Sequence, residues 1–208
     1  MNTYRRRPVT QIITDTGPLI SLACADRLNL LNTFRKPVLV PDVIISECLR
    51  KDGAPGERTL RAFFEGPEPG RFERVPTPMG PLMEGLIRRE RNGERVEELT
   101  GFGDATIAWV IANIKRLKGP DEIALVLTQD ATFGDEVLPR LSEPVHVLSF
   151  RAWLGFLEAQ ELIPSAREVA EEMLKAGRAI NRYYADRPAQ LDAGTRSEWT
   201  SSVSAEPG

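Results

Sequence analysis

Two aspartates follow apolar segments that are predicted to be strands. Asp15 comes after "QIIT" and Asp130 comes after "IALVLTQ". In a parallel sheet the carboxyl ends of the strands line one crevice, and ligands bind there. We therefore expect both carboxylates to lie along that crevice. The segment "LTQDATFGDE" also contains Asp135, but Asp130 is preferred because it stands where the strand ends.

Two further acids are predicted on helices that cover the same sheet. Glu47 lies in the helix that follows "VLVP", on the face it shares with Val43 and Ile44, which is the face expected to pack on the sheet. Asp104 opens the helical segment "DATIAWVIANI". Apolar residues three, four and seven positions after it predict an inward-facing side of that helix: Ile107, Ala108 and Ile111.

This set of carboxylates indicates a site for a hard divalent cation. Buried like charges repel one another and raise each other's pKa values unless a positive charge lies among them. Mg²⁺ and Mn²⁺ prefer carboxylate and water oxygens, and they support phosphodiester hydrolysis by polarising the phosphate and activating water. The predicted metal ligands are also the predicted catalytic residues: Asp15, Glu47, Asp104 and Asp130. Nearby hydroxyls could orient them through hydrogen bonds: Thr14, Thr16, Thr128 and Ser149.

Each acid also has a simpler structural explanation. Asp15 could cap the next helix, Asp104 could be an ordinary acid in a first helical turn, and Asp130 could belong to a turn. A buried Glu47 could be neutralised by an arginine. Two arginines are candidates: Arg50 and Arg61. What favours a functional site is the convergence of four acids on one sheet.

Composition excludes several other kinds of chemistry. The single His146 and the two cysteines, Cys24 and Cys48, supply no zinc ligand set and no Ser-His-Asp triad. A net charge of −3 and a pI near 5.4 exclude a general electrostatic grip on nucleic acid, so any polyanion site must be local. The basic groups at 5–7, 88–91 and 115–118 could contact an RNA backbone, but solvated helix faces are expected. Trp109 and Trp153 are expected in the core and not as base-stacking surfaces.

Strands and helices alternate along the chain, which predicts a parallel sheet covered on both faces. Strands are predicted at 10–15, 37–41, 123–130 and 145–150, with a short helix between the last two and "RFERV" as an edge strand. Helices are predicted at 17–34, 42–52, 57–65, 82–100 and 104–118, with two more between 151 and 187. The predicted units are a nuclease domain over 1–155, a helical extension packed on it over 156–187, and a mobile polar tail over 188–208.

Four segments together resemble the PIN-domain family of metal-dependent ribonucleases: "TDTGPLISL", "VPDVIISEC", "GDATIAWVIA" and "LTQD". The resemblance covers about residues 10–155. It implies a three-layer α/β/α sandwich around a parallel sheet, RNA as the substrate, and a metal site at the positions of Asp15, Glu47, Asp104 and Asp130. Because the family includes toxins of type II toxin–antitoxin pairs, it also implies a cognate antitoxin as partner.

Several properties stay open at this point. The chain is longer than the compact toxins of the family, so the toxin role follows less directly than the nuclease role. A homodimer is compatible with the sequence, and so is a PIN-like fold retained as a non-catalytic binding or regulatory module. No apolar run approaches the roughly 20 residues that span a bilayer, and we expect a cytoplasmic protein.

Overall fold

A computed structural model describes residues 8–13, 15–34, 36–67, 70–96, 101–128 and 145–178. The backbone of Asp104 belongs to this part of the chain, but its side chain does not. The segment predicted as a tail and the short helix predicted between the last two strands lie outside the described residues. The division of the chain at positions 155 and 187 stays a prediction.

Five parallel strands form the central sheet, in the spatial order β3-β2-β1-β4-β5. The strands are β1 (Val9–Ile13), β2 (Val38–Pro41), β3 (Phe72–Val75), β4 (Ile123–Thr128) and β5 (Val145–Ser149). Every residue of β1, β2 and β4 is buried, as expected for short continuous apolar strands covered on both faces. The predicted "RFERV" strand is confirmed as β3, and it lies at an edge of the sheet.

Helices cover both faces of this sheet, which confirms the predicted three-layer α/β/α architecture. They are α1 (Thr16–Cys24), α2 (Asp42–Cys48), α3 (Glu57–Glu65), α4 (Gly80–Arg91), α5 (Phe102–Ala112), α6 (Ile114–Leu117), α7 (Phe150–Ala159) and α8 (Ala166–Lys175). A 3₁₀ helix over Leu28–Thr33 follows α1. Among the described residues, no helix is long and apolar enough to cross a membrane.

Successive residues of a strand point to opposite faces, and the core is accordingly divided in two. Ile13 belongs to the larger cluster, which α1, α3, α7 and α8 cover. Ile12, its neighbour, belongs to the smaller cluster beneath α5 and α6. Helix α8 is part of the larger core because Met173 is fully buried there, and Glu172 forms a two-point ion pair with Arg27 just beyond α1.

The helix predicted over 17–34 is shorter than expected. Helix α1 ends at Cys24, and Asp26 follows with a φ of 54°. This left-handed conformation is one that a helix cannot continue through, and Asp adopts it more readily than most residues. The helix predicted over 82–100 likewise ends at Arg91, and Gly93 follows in the left-handed region.

The predicted helix over 104–118 begins earlier and is broken in two. Helix α5 starts at Phe102, and Asn113 separates it from α6. The Asn113 side chain donates to the Trp109 carbonyl at 2.9 Å, a local contact that competes with helix continuation.

The predicted inward face of α5, which included Ala108, is wrong. Ala108 is exposed, and the fully buried positions are Thr106 and Val110. Ile107 and Ile111 are only partly buried. Because the segment is apolar around almost its whole circumference, its periodicity could not select one face.

Candidate acidic site

Asp15 stands in the two-residue connection between β1 and α1. Its backbone is extended, with a φ of −139° and a ψ of 144°, and its Oδ1 accepts a hydrogen bond from the Gly17 amide at 3.0 Å. Asp15 is therefore the N-cap of α1, as the simpler explanation required. The same geometry holds the carboxylate directly beyond the carboxyl end of a central strand, where parallel sheets bind ligands.

Glu47 lies on α2 and is half-buried. Burial raises the pKa of its carboxyl group, the Asp15 charge raises the pKa further, and Arg50 lowers it. Helix α1 packs against α2, so the acid that caps one helix and the acid carried by the other interact electrostatically. The structure thus brings together two of the four predicted acids, and the surroundings of Glu47 disfavour its charged form.

Neither candidate arginine pairs with Glu47 in the part of the chain that is described. Arg50 forms a two-point ion pair with Glu90 of α4, with Nε donating to Oε2 at 2.7 Å and Nη2 donating to Oε1. Arg61 binds three other carboxylates: those of Glu57, Glu65 and Asp52. Both guanidinium groups are therefore committed to other acids.

Asp42 fixes the start of the helix that carries Glu47. This carboxylate is 7% exposed and accepts from the Val43 amide at 2.9 Å, the Thr77 amide at 3.0 Å and the Thr77 hydroxyl at 2.7 Å. The contacts connect α2 to the segment between β3 and α4. The sequence analysis passed over Asp42, although an acid in the first turn of a helix directly after a strand-ending proline was a visible signal.

The remaining predicted residues are located only in part. Asp104 lies in the first turn of α5, a helix that packs against α2. Asp130, the alternative Asp135 and Thr14 lie outside the described residues. Ser149, proposed as an orienting hydroxyl, caps α7 by accepting from the Ala152 amide at 3.1 Å. Among the described residues, no group of three or more His, Cys, Asp or Glu side chains could hold a metal ion.

The two cysteines are not nucleophiles. Both are free thiols, and burial is the largest factor that raises the pKa of each. Glu47 and Asp15 raise the pKa of Cys48 further, while Arg178 lowers it. A thiol with a raised pKa stays protonated near neutral pH, and the thiolate is the reactive form.

The chain thus combines a five-stranded parallel sheet, an acid beyond its central strand β1 and a second acid on the βα unit that follows, which is consistent with a PIN-like α/β/α fold. A family model described as DUF3368, a PIN domain, matches residues 11–76 and supports membership of the PIN-domain family. The match runs from β1 to just beyond β3 and includes Asp15, Asp42 and Glu47. A comparison with curated proteins found no match. PIN domains are generally nucleases and typically use divalent metals.

Proposed function

We propose that this protein is a metal-dependent nuclease that hydrolyses RNA. The observation that supports the proposal most directly is the pairing of Asp15 and Glu47 beside the carboxyl end of β1, with the Glu47 pKa raised by burial and by the Asp15 charge. Arg50, whose charge lowers the Glu47 pKa, is bound to Glu90. A cluster of this kind is stabilised by a bound cation.

The donor atoms fit Mg²⁺ or Mn²⁺, because both prefer carboxylate oxygens. Asp15 and Glu47 would hold the ion, together with Asp104 and Asp130 if their side chains reach the same crevice. When bound, such an ion supplies charge neutralisation at a phosphate and an activated water. Asp15 also caps α1, and Asp42 binds the first turn of α2, so the helices next to Asp15 and Glu47 are both held at their starts.

Calorimetric titration of metal-free protein with Mn²⁺ tests the proposal. We expect the wild type to bind, and Asp15→Asn and Glu47→Gln to lose about 10-fold or more in affinity. Asparagine also caps helices, so Asp15→Asn leaves the fold intact. Glu158→Gln, on the exposed side of α7, is the matched control and binds as the wild type does.

RNA cleavage measured on the same samples separates the nuclease from its main alternative. Cleavage by the wild type and the control, together with its loss in both site variants, supports the nuclease. Mn²⁺ binding without cleavage of any tested RNA would favour a non-catalytic binding or regulatory module. An absence of binding in the wild type would remove the metal site from the proposal.

The toxin role extends this proposal and has its own test. If the protein is the toxin of a toxin–antitoxin pair, its expression arrests growth, Asp15→Asn abolishes the arrest, and coexpression of a small protein encoded beside it restores growth. Arrest that persists in Asp15→Asn would contradict the toxin role. Size-exclusion chromatography with light scattering tests whether the chain forms the homodimer considered above.

A further inference from the structure

A groove of about 200 Å³ lies between the edge strand β3 and the helices α5 and α6, on the face of the smaller core. Its walls combine aromatic, apolar and charged side chains. Those that bear on its chemistry are Glu73, Arg74, Pro76, Trp109 and Arg116. Glu73 and Arg74 belong to the edge strand, while Trp109 and Arg116 stand on the helices opposite.

The guanidinium group of Arg116 is available to a ligand of this groove. The exposed Arg116 side chain forms no hydrogen bond or ion pair with any residue that the structure describes. Arg74 approaches Glu84 only at 3.8 Å, and the two side chains are 48% and 54% exposed, so this pair contributes little. Glu73 is the single acid in the described lining, which leaves the groove with a net positive charge.

Trp109 gives the groove a stacking surface. Its side chain is half-buried against the smaller core and also lines the groove. Indole rings stack on nucleobases without strong sequence preference, and arginines beside them bind the backbone phosphates. This places Trp109 at a groove wall, in contrast to the expected core position, and Arg116 beside an aromatic ring within the basic segment 115–118.

The groove extends from the same end of the sheet as the acidic site. Pro76 follows the carboxyl end of β3, just as Asp15 follows that of β1. Helix α5 begins beside α2, which carries Glu47, and the chain then leads through α6 to the opposite end of the sheet, where β4 starts. Trp109 is five residues beyond Asp104, a rise of about 7.5 Å along the helix. The groove and the acidic site therefore share one end of the sheet.

We propose that this groove binds single-stranded RNA next to the cleavage site, with a base stacked on Trp109 and a backbone phosphate held by Arg116. The proposal rests on the proposed function, because the strand bound here is the substrate of the acidic site. It assigns to this chain a second contact region that binds RNA without metal.

Fluorescence anisotropy of a labelled single-stranded decanucleotide in EDTA tests this binding without cleavage. We expect Arg116→Gln to weaken binding severalfold and to reduce the slope of log affinity against log salt by about 1. Glu73→Gln removes the single described acid and strengthens binding. Arg167→Gln, an 87% exposed arginine on α8, is the matched control and leaves the affinity unchanged.

Trp109 variants test the stacking contact separately. Trp109→Leu should weaken binding about 5-fold to 100-fold, and Trp109→Phe should restore part of the loss. Thermal unfolding of each variant identifies any that does not fold, and Arg116→Gln keeps the test valid in that event because its side chain is exposed.

The possible outcomes distinguish a failure of the groove proposal from a failure of the nuclease proposal. If the wild type cleaves RNA but Arg116→Gln and Trp109→Leu bind like the Arg167→Gln control, the groove proposal is overturned and the nuclease stands. If the variants show the expected pattern in EDTA while the wild type cleaves nothing with Mn²⁺, the groove binds RNA and the nuclease proposal fails. Absence of binding by the wild type overturns the groove, and a protein ligand would then be sought.

Discussion

Gln11 is an unusual residue for the middle of a central strand. It is 1% exposed, and both side-chain amide atoms lack a hydrogen-bond partner among the described residues. It shares a sheet face with Val9 and Ile13, which belong to the larger core. A buried amide without partners is destabilising because it has lost its hydration.

We therefore predict that Gln11→Met stabilises the protein. Methionine has a similar length and no polar group to desolvate, so the free energy of unfolding should rise by about 1–3 kcal/mol. Urea denaturation measures the change, and Ile13→Val serves as a control that loses a methylene from the same face and should destabilise. A lower stability for Gln11→Met would mean that the amide has a partner beyond the described residues or a buried water.

The sequence predicted individual residues best where local geometry decides their position. Asp15 is forced to the carboxyl end of β1 because the strand stops and α1 starts within two residues. Glu47 shares a face with Val43 and Ile44, which are both buried. Asp42 was not predicted because its partner, Thr77, is distant in sequence and only the folded chain brings the two together.

The connection between α2 and the start of α4 depends on a small polar cluster. The Thr77 hydroxyl donates to Asp42 at 2.7 Å and accepts from the Gly80 amide at 3.2 Å. A Cβ at Gly80 would lie 1.9 Å from Asp42 Oδ2, so only glycine leaves room for this carboxylate. The cluster therefore requires glycine at position 80 as well as hydrogen-bond donors for the Asp42 carboxylate.

Thr77→Val should lower the free energy of unfolding by about 1–3 kcal/mol, because it removes the hydroxyl and leaves Asp42 with one bond fewer. Thr77→Ser retains the hydroxyl and is the control. Urea denaturation of both variants checks the prediction. Equal stability of Thr77→Val and wild type would show that the hydroxyl contributes nothing at this position.

Helices and strands were predicted well where the hydrophobic periodicity ends at a Gly, Pro or turn residue. They were predicted poorly where apolar residues continue without a clear period. Helix α3 was predicted with its observed bounds. The α5 segment is apolar on all sides, so neither its inward face nor its break at Asn113 followed from periodicity. The groove was not predicted because its walls are distant in sequence. Trp109 and Arg116 lie opposite β3 only once β2 and β3 have paired in the folded sheet.

At the scale of the whole molecule, Glu122 joins distant parts of the chain at the amino-terminal end of the sheet. Its carboxylate accepts from Thr10 of β1, from Lys36 just before β2 and from the Gly119 amide at 3.0 Å. Burial alone would raise its pKa, but the bonds from Lys36, Thr10 and Gly119 outweigh burial and lower the pKa from 4.5 to about 2.

The lowered pKa predicts a defined acid sensitivity. Because the folded protein holds this proton less tightly than the unfolded chain does, the stabilisation is fully present above pH 4.5 and is lost as the pH falls towards about 2. Glu122→Gln should destabilise at pH 7 and show a smaller change between pH 5 and pH 3 than the wild type. Thermal unfolding across this range measures both effects, and parallel pH profiles for the two proteins would contradict the assignment.

The strand order affects how the chain can be completed during synthesis. Strand β1 lies at the centre of the sheet, and its partner β4 begins at Ile123. A nascent chain that has emerged only as far as β3 therefore exposes one hydrogen-bonding edge of its most buried strand, a surface that invites pairing with other chains. The metal site proposed above includes Asp104 on α5, so that proposed site is likewise incomplete until at least half of the chain has been made.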